Sequence, residues 1–185
     1  MSSHHIVKED QEPALIIADI EGVAWPQLNQ LMEWNPIVVT NGETVKPIAE
    51  LGVHVDILIT DGQLVLPQSD IITLPLAGTF LDTALAYLLR RGCKAVNIVS
   101  NNVDLEVLLR YADMNVVLLG NGRRVFAAKS GFRKWKPQGE SVYAYTAVSY
   151  TMGLILQQEN HYITEKDGFY SLYFAVQRGL VGECI

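Results

Sequence analysis

Four aspartates have positions at which a carboxylate could serve a binding site. Asp19 and Asp61 each follow an apolar run that predicts a buried strand. A carboxylate at a strand end can face a ligand, and an aspartate in a turn can equally cap local backbone groups. Asp82 and Asp104 fall in the first turns of predicted helices, where the helix dipole by itself favours an acidic side chain. Ligand binding and local structure therefore both stay open for these residues.

Aromatic and basic side chains in the last third of the chain form a second set of candidates. Trp135 and Tyr143 lie in segments typical of β structure and could stack on an aromatic ring. Aromatic residues that alternate in a strand more often belong to a core or a subunit interface. Arg123, Arg124 and Lys134 could receive an anion, although a solvated charge cluster is the usual outcome for such residues.

The sequence shows no recognisable local motif of nucleophilic or metal chemistry. Cys93 and Cys184 form no CxxC pair, which predicts reduced thiols rather than a metal site. His54 and His161 have no identifiable partner in the sequence. The stretch Gly120-Asn121-Gly122 is neither a GxGxxG motif nor a P-loop, and it predicts a hairpin turn.

Composition limits the classes of function. The chain has 185 residues, a formal charge of −6 and an isoelectric point near 5.1, which argues against a broad nucleic-acid surface. No run approaches the ~20 apolar residues that a membrane-spanning helix needs. Residues 1–13 form a polar N-terminal arm without the apolar segment of a signal peptide. We therefore expect a soluble cytoplasmic protein that binds neither nucleic acid nor membranes.

An alternation of apolar strands and short amphipathic helices predicts an α/β domain over residues 14–130. Continuous apolar runs at 14–18 and 95–99 are typical of strands covered on both faces. The helix pattern is clearest at 79–92, where leucines recur at spacings of three and four before Gly92 ends the segment. This alternation predicts a mostly parallel sheet in a three-layer arrangement, with ligands bound beyond the carboxyl ends of its strands.

The remaining residues, 131–185, predict a small antiparallel β lobe. They contain several runs rich in aromatic and β-branched residues, which are typical of strands, at 141–148, 153–156, 161–164 and 169–176. Polar turns such as Lys166-Asp167-Gly168 separate these runs. The chain therefore predicts an α/β domain followed by a β domain.

Several stretches resemble the thiamine pyrophosphokinase family, in which an α/β catalytic domain precedes a β lobe. The segment from Asn41-Gly42 to Asp61 looks like the family's "ADGA…LGIKPDLIIGDFDS" region. Residues 79–92 are similar to its "TDLELALEYALERG" helix, and residues 131–145 resemble its "G…GKPGDYVSLIP" entry into the second lobe. The resemblance covers about three quarters of the chain, and the β lobe is shorter here than in the family.

The resemblance implies an activity, cofactors and site residues. Thiamine pyrophosphokinases transfer a pyrophosphoryl group from ATP to thiamine, use Mg²⁺ and form homodimers. By this resemblance Asp61 and Asp82 are catalytic candidates, and Asp61 and Asp19 are metal candidates. The cofactor candidates are Asn41, Gly42, Thr79 and Asp104, and the thiamine candidates are Trp135 and Tyr143.

Several acidic positions of the family motifs hold other residues in this chain. The second aspartate of "GDFDS" corresponds to Gln63 and its serine to Leu64, and Phe80 stands where the helix should begin with an acid. The "GRLDH" turn corresponds to 101–105 and retains only Asp104. Neither a glutamine nor a phenylalanine supplies an anionic oxygen to Mg²⁺.

Two functional hypotheses follow from these substitutions. The leading one is a divergent thiamine pyrophosphokinase-like protein with an eroded Mg²⁺–ATP site, which binds a nucleotide or thiamine-like small molecule or acts through its interfaces. The alternative is an active thiamine pyrophosphokinase in which Asp19, Asp61, Asp82 and Asp104 converge into a rearranged metal site.

Overall fold

The computed structural model describes residues 13–21, 25–66 and 68–185, in two compact units. The first unit contains the described part of residues 1–103 together with Asp113–Asn121, and the second contains Asp104–Ala112 and Gly122–Ile185. The predicted N-terminal arm, 1–13, lies outside the described residues except for Pro13. None of the described helices is long and apolar enough to span a bilayer.

The first unit is built on six parallel strands, which confirms the predicted parallel α/β organisation. The strands are β1 (Ala14–Ile17), β2 (Val38–Asn41), β3 (Ile57–Ile59), β4 (Ile72–Leu74), β5 (Ala95–Val99) and β6 (Asn115–Gly120). Their order across the sheet is β6-β5-β1-β2-β3-β4, and every pair between neighbours is parallel. The predicted three-layer arrangement stays a prediction.

Apolar burial explains why β1 lies at the centre of this sheet. All four of its residues are buried, so both of its faces are covered. Leu15 and Ile17 pack in a core cluster with residues of the helices α1 (Trp25–Met32) and α2 (Val45–Glu50). Val53 and Val55 enter the same cluster, although the predicted strand 53–59 pairs only over Ile57–Ile59.

The helix α3 (Phe80–Arg90) has the boundaries that its sequence signals indicate. The Thr79 side chain accepts a hydrogen bond from the Asp82 backbone N–H, and Arg90 lies in the last turn. Gly92 follows with a positive φ of 86°, a conformation that glycine adopts without a steric penalty. The capping and dipole rules that predicted this helix are therefore fulfilled.

The strand order reverses direction at β1. From β1 the chain proceeds outward on one side through β2, β3 and β4, and it then returns to the other side of β1 to form β5 and β6. In open parallel sheets, the loops that leave two strands on either side of such a reversal diverge and leave a crevice at the carboxyl edge. In this sheet, the reversal lies between the carboxyl ends of β1 and β5.

The second unit contains one short helix and eight strands. These are α4 (Glu106–Arg110), β7 (Arg123–Lys129), β8 (Phe132–Lys136), β9 (Ser141–Ala144), β10 (Val148–Met152), β11 (Leu154–Gln158), β12 (His161–Thr164), β13 (Gly168–Phe174) and β14 (Arg178–Cys184). The strand orders are β11-β12-β9-β14-β7 and β10-β13-β8, and all of these pairs are antiparallel. The predicted antiparallel β structure is therefore confirmed.

Two strands of this unit were not predicted, and one predicted run is divided. The strands β8 and β14 are rich in charged residues or glycine, so their composition is not typical of strands. The predicted run 141–148 ends as β9 at Ala144, and β10 starts only at Val148 in the other sheet. The strand β7 belongs to the second unit and pairs along its whole length with β14.

A buried ion cluster around Glu183 joins several strands of the second unit. The Glu183 side chain is fully buried and accepts hydrogen bonds from Arg124 Nε at 2.8 Å, from Lys134 Nζ at 2.6 Å and from the Tyr170 hydroxyl at 3.1 Å. Lys136 Nζ lies 3.9 Å from the other carboxylate oxygen. Burial by itself would raise the pKa of Glu183, but the hydrogen bonds from Lys134 and Arg124 lower this pKa below its usual value.

We expect Glu183→Gln to lower the free energy of unfolding by about 3–5 kcal/mol at neutral pH, because it leaves buried cations without their anion. The lowered pKa also gives the wild type a stability contribution that is complete above the ordinary glutamate pKa of about 4.3. That contribution is lost as the pH falls through the pKa of the folded state. Urea denaturation between pH 7 and pH 3 measures both effects, and Glu159→Gln, at an exposed position, is the matched control. An equal loss in both variants would contradict the assignment.

Candidate functional site

Polar side chains gather at the carboxyl ends of the four strands β2, β1, β5 and β6. The residues that follow or end these strands are Asn41, Asp19, Ser100, Asn101 and Asn121. All of them belong to the first unit. They lie on both sides of the reversal in strand order, where parallel sheets form their binding crevices.

Asp19 links the ends of the two central strands. Its Oδ2 atom accepts a hydrogen bond from Ser100 Oγ at 2.5 Å and another from the Asn101 backbone N–H at 2.9 Å. Ser100 is 3% exposed, and its Oγ atom also accepts the Asn102 N–H at 3.2 Å. The loop that follows β5 is therefore held against the end of β1.

The second carboxylate oxygen of Asp19 has no such partner. Oδ1 is buried and makes no hydrogen bond. Buried polar atoms in native proteins are nearly always hydrogen-bonded, and the exceptions call for an explanation such as a bound molecule. Asp19 Oδ1 is thus a buried acceptor without a hydrogen bond at the ends of β1 and β5.

Asn101 extends the same network to β6. Its Nδ2 atom donates to the Glu21 carbonyl at 2.7 Å, and its Oδ1 atom accepts the Asn121 N–H at 2.7 Å. Gly120 permits this approach, because a Cβ atom at that position would lie 1.9 Å from the Ser100 carbonyl oxygen. The ends of β5 and β6 therefore meet more closely than any side chain at position 120 would allow.

The hydrogen bonds of the Asn41 side chain link the ends of β1 and β2. Its Oδ1 atom accepts the N–H groups of Glu43 and Thr44 at 2.9 and 3.0 Å, which requires the amide nitrogen to point the other way. The nitrogen Nδ2 donates to the Ala18 carbonyl at 2.8 Å. Both ends of this amide are therefore used within the fold.

Asp61 and Gly42 lie on the loops after β3 and β2. Asp61 Oδ1 accepts the Leu76 backbone N–H at 2.9 Å, which ties the end of β3 to the segment after β4. A Cβ atom at Gly42 would approach Thr60 Oγ1 to 3.1 Å and Leu64 Cδ1 to 3.2 Å, so the glycine accommodates the loop after β3. Both residues have a structural explanation in the local packing.

Thr79 and Asp82 form a reciprocal pair at the start of α3. Thr79 Oγ1 accepts the Asp82 N–H at 3.1 Å and lies 2.8 Å from Asp82 Oδ2, to which it donates. This arrangement satisfies a free N–H of the first helical turn. The pair acts as a helix cap.

Three candidates belong to the second unit. The Asp104 carboxylate accepts the Glu106 N–H at 3.1 Å, and its other oxygen lies 3.9 Å from an Arg110 nitrogen. Trp135 is 52% exposed on β8. Tyr143 has its own set of contacts within the β unit.

Side chains of the chain itself cover the ring of Tyr143. The imidazole of His161 stacks on it with centroids 4.6 Å apart, and the Arg123 guanidinium lies 3.8 Å from its centroid. His161 is on β12, which pairs with β9, and Arg123 is on β7, which is separated from β9 by β14 on the other side. A ligand could stack on this ring only by displacing one of these groups.

The electrostatics of the first unit are acidic. Its described residues include ten aspartates and glutamates but only four lysines and arginines. Lys46 lies 3.9 Å from Glu50, and the others, Arg90, Arg91 and Lys94, stand at the end of α3 and before β5, at the amino edge of that strand. No group of three or more His, Cys, Asp or Glu side chains among the described residues could hold a metal ion.

Ser100, Asn101 and Asn121 were not predicted as site residues. The sequence signal for them is that polar residues closely follow the apolar runs 95–99 and 116–119. The same rule had selected Asp19 and Asp61.

Comparison with solved structures places this chain beside thiamine pyrophosphokinases. The enzyme from Bacillus subtilis aligns with a TM-score of 0.68 at 10% identity, over 93% of this chain and 98% of the other. The enzyme from Geobacillus thermodenitrificans aligns with a TM-score of 0.68 at 13% identity, over 93% and 97%. The enzyme from Candida albicans aligns with a TM-score of 0.64 at 10% identity, over 96% and 90%.

Sequence comparison gives no match, either to a protein-family model or to a curated protein. The structural similarity is therefore found at low sequence identity, and it extends over nearly the whole length of both chains. The fold implied by the sequence resemblance is confirmed: this chain has the thiamine pyrophosphokinase fold.

Proposed function

We propose that this protein is a divergent thiamine pyrophosphokinase-like protein whose Mg²⁺–ATP site is eroded. In this proposal it binds a small organic ligand at the carboxyl edge of its parallel sheet and does not transfer pyrophosphate. A nucleotide or a thiamine-like molecule is the ligand class that the resemblance suggests.

The observation that carries the proposal is the role of Asn41. It occupies the aspartate position of the family's "ADGA" stretch, and its amide nitrogen donates to the Ala18 carbonyl at 2.8 Å. A carboxylate cannot make this contact, because both of its oxygens are acceptors. The residue at this position therefore serves the fold in a way that the family's acid could not.

The other acidic positions of the family motifs are also either used within this fold or replaced by residues that are not acidic. Asp61 uses Oδ1 for the Leu76 N–H, Asp82 caps α3, and Gln63 and Phe80 replace two acids of the motifs. Phosphoryl transfer depends on metal ions and cationic groups that neutralise the transferred phosphoryl group. Gln63 and Phe80 offer no anionic oxygen to Mg²⁺, and no basic residue directly follows β1 or β5 in the described part of the chain.

Ligand binding is supported by the strand order. The order reverses between β1 and β5, and open parallel sheets bind small molecules at the carboxyl edge beside such a reversal. The polar strand ends at this edge are held by side-chain hydrogen bonds, which preorganises them.

We expect the purified protein with Mg²⁺, ATP and thiamine to form no thiamine diphosphate and no AMP, measured by chromatography of the reaction mixture. We also expect thiamine or adenosine to raise its melting temperature, because a ligand that binds the native state shifts the folding equilibrium. The enzyme from Bacillus subtilis is the positive control for turnover. Formation of both products would contradict the proposal and support the active-enzyme alternative.

Asn41→Asp tests whether the family's acid can simply be restored. We expect the free energy of unfolding to fall by about 1–3 kcal/mol, because a carboxylate oxygen would face the half-buried Ala18 carbonyl and lose its hydrogen bond. Urea denaturation measures this loss. Asn102→Asp introduces the same charge at an exposed position in the neighbouring loop and should have little effect. Pyrophosphokinase activity in Asn41→Asp without loss of stability would contradict the argument.

We further propose a homodimer formed through the outer face of the sheet β10-β13-β8. Trp135 and Phe169 are paired on this face and are 52% and 58% exposed, and Tyr150 on β10 is 59% exposed. Exposed apolar faces of this kind are typical of protein interfaces.

Trp135→Arg should convert the dimer into a monomer in analytical ultracentrifugation, because it places a charge in the apolar contact. The control is Trp34→Arg, at a tryptophan that is 63% exposed in the first unit. A monomeric wild type, or a dimer that persists in Trp135→Arg, would contradict this interface.

A further inference from the structure

A glutamine side chain at the amino edge of the parallel sheet connects the segments that lead into β3 and β4. Gln68 lies in the segment before β4, and its Nε2 atom is 2.6 Å from Nδ1 of His54, which precedes β3. Its Oε1 atom accepts the Val55 backbone N–H at 3.0 Å. These contacts lie at the edge opposite to the ligand site proposed above.

The contact with Val55 determines the hydrogen-bonding role of each atom in the pair. Because Oε1 of Gln68 accepts the Val55 N–H, the amide nitrogen faces His54 and donates to it. Nδ1 of His54 is then the acceptor, so the neutral ring carries its proton on Nε2. A protonated ring carries a proton on both nitrogens, and Nδ1 can then no longer accept.

We propose that Gln68 is a proton-sensitive switch. It binds both the His54 ring and the Val55 N–H while the ring is neutral, and it releases the Val55 N–H when the ring is protonated. In the protonated state the N–H groups of Nδ1 and of the Gln68 amide would face each other. A charged donor makes the stronger hydrogen bond, so the amide turns its oxygen toward the ring. Its nitrogen then faces the Val55 N–H, which loses its acceptor.

Two carboxylates hold the ring in place when it becomes charged. Nε2 of His54 lies 3.7 Å from Asp56 Oδ1 and 3.6 Å from Asp70 Oδ2. Asp56 is itself fixed, because its other oxygen accepts the Val38 N–H at 2.8 Å. The added charge is therefore offset on the Nε2 side of the ring, and the neutral Gln68 amide on the Nδ1 side is the group that changes its contacts.

An open cavity of about 490 Å³ gives the Gln68 amide room to turn over. His54 and Gln68 both line it, together with Lys46 and Glu50 of α2. Lys46 and Glu50 lie 3.9 Å apart, so their opposite charges offset each other beside the ring. The His54 side chain is 52% exposed, which makes it accessible to protons from the solvent.

Hydrogen exchange at the Val55 amide measures the switch in ¹⁵N-labelled full-length protein. Histidines change charge between about pH 5 and about pH 8, so exchange is followed across that range. We expect the protection factor of Val55, corrected for the intrinsic pH dependence of exchange, to fall about fivefold as the His54 ring signals titrate. One hydrogen bond of ordinary net strength is worth about this factor. A constant Val55 protection factor while His54 titrates would overturn the switch.

Two variants remove the conflict in different ways. His54→Asn keeps an oxygen that accepts from the Gln68 amide and does not titrate. Gln68→Glu supplies a carboxylate that accepts from both the Val55 N–H and a protonated ring, without an N–H of its own. We expect the Val55 protection factor to stay constant with pH in both variants.

His161→Asn is the matched control, since it removes a histidine of the second unit that contacts Ser141 and Tyr143. It should keep the wild-type fall in Val55 protection. An equal fall in His54→Asn and the wild type would assign the effect to another group and overturn the switch. A fall that persists in Gln68→Glu would also overturn it, because the carboxylate has no N–H to oppose the ring.

Discussion

The hydrogen bonds between Asp19 and the loop after β5 determine how the carboxyl edge of the parallel sheet is arranged. The strands β1 and β5 run side by side but come from distant parts of the chain, and Ser100 Oγ and the Asn101 N–H join their ends through one carboxylate oxygen. Asn101 in turn binds the start of the turn after β6. Because these hydrogen bonds join the loops to one another, the arrangement of this edge depends on all of the loops together.

The fold was more predictable than the site, because buried strands and helix caps leave local signals. The run 14–18 and the leucine spacing that ends at Gly92 indicated their elements from nearby residues alone. The partners of Asp19 gave no such signal, since they lie 81 and 82 positions away and come together only through the strand order. The orientation of the Asn41 amide depends on the Ala18 carbonyl, 23 positions away, and is equally invisible in the sequence. The aromatic pattern around Tyr143 correctly indicated β structure, but the cover provided by Arg123 and His161 requires three strands that are separated in the chain.

The two units differ in how completely a buried carboxylate is hydrogen-bonded. In the second unit, Glu183 receives hydrogen bonds from two cations and a tyrosine hydroxyl, so its burial is offset within the fold. In the first unit, one oxygen of Asp19 is satisfied and the other is buried without a hydrogen bond. The Glu183 cluster therefore holds four strands together, whereas Asp19 joins only the ends of β1 and β5.

The Glu183 cluster also determines how the two sheets of the second unit depend on each other. Arg124 and Glu183 lie on strands of one sheet, whereas Lys134 and Tyr170 lie on strands of the other. Separation of the two sheets would leave a buried charge without its partners, which is costly. The two sheets should therefore unfold together rather than one after the other.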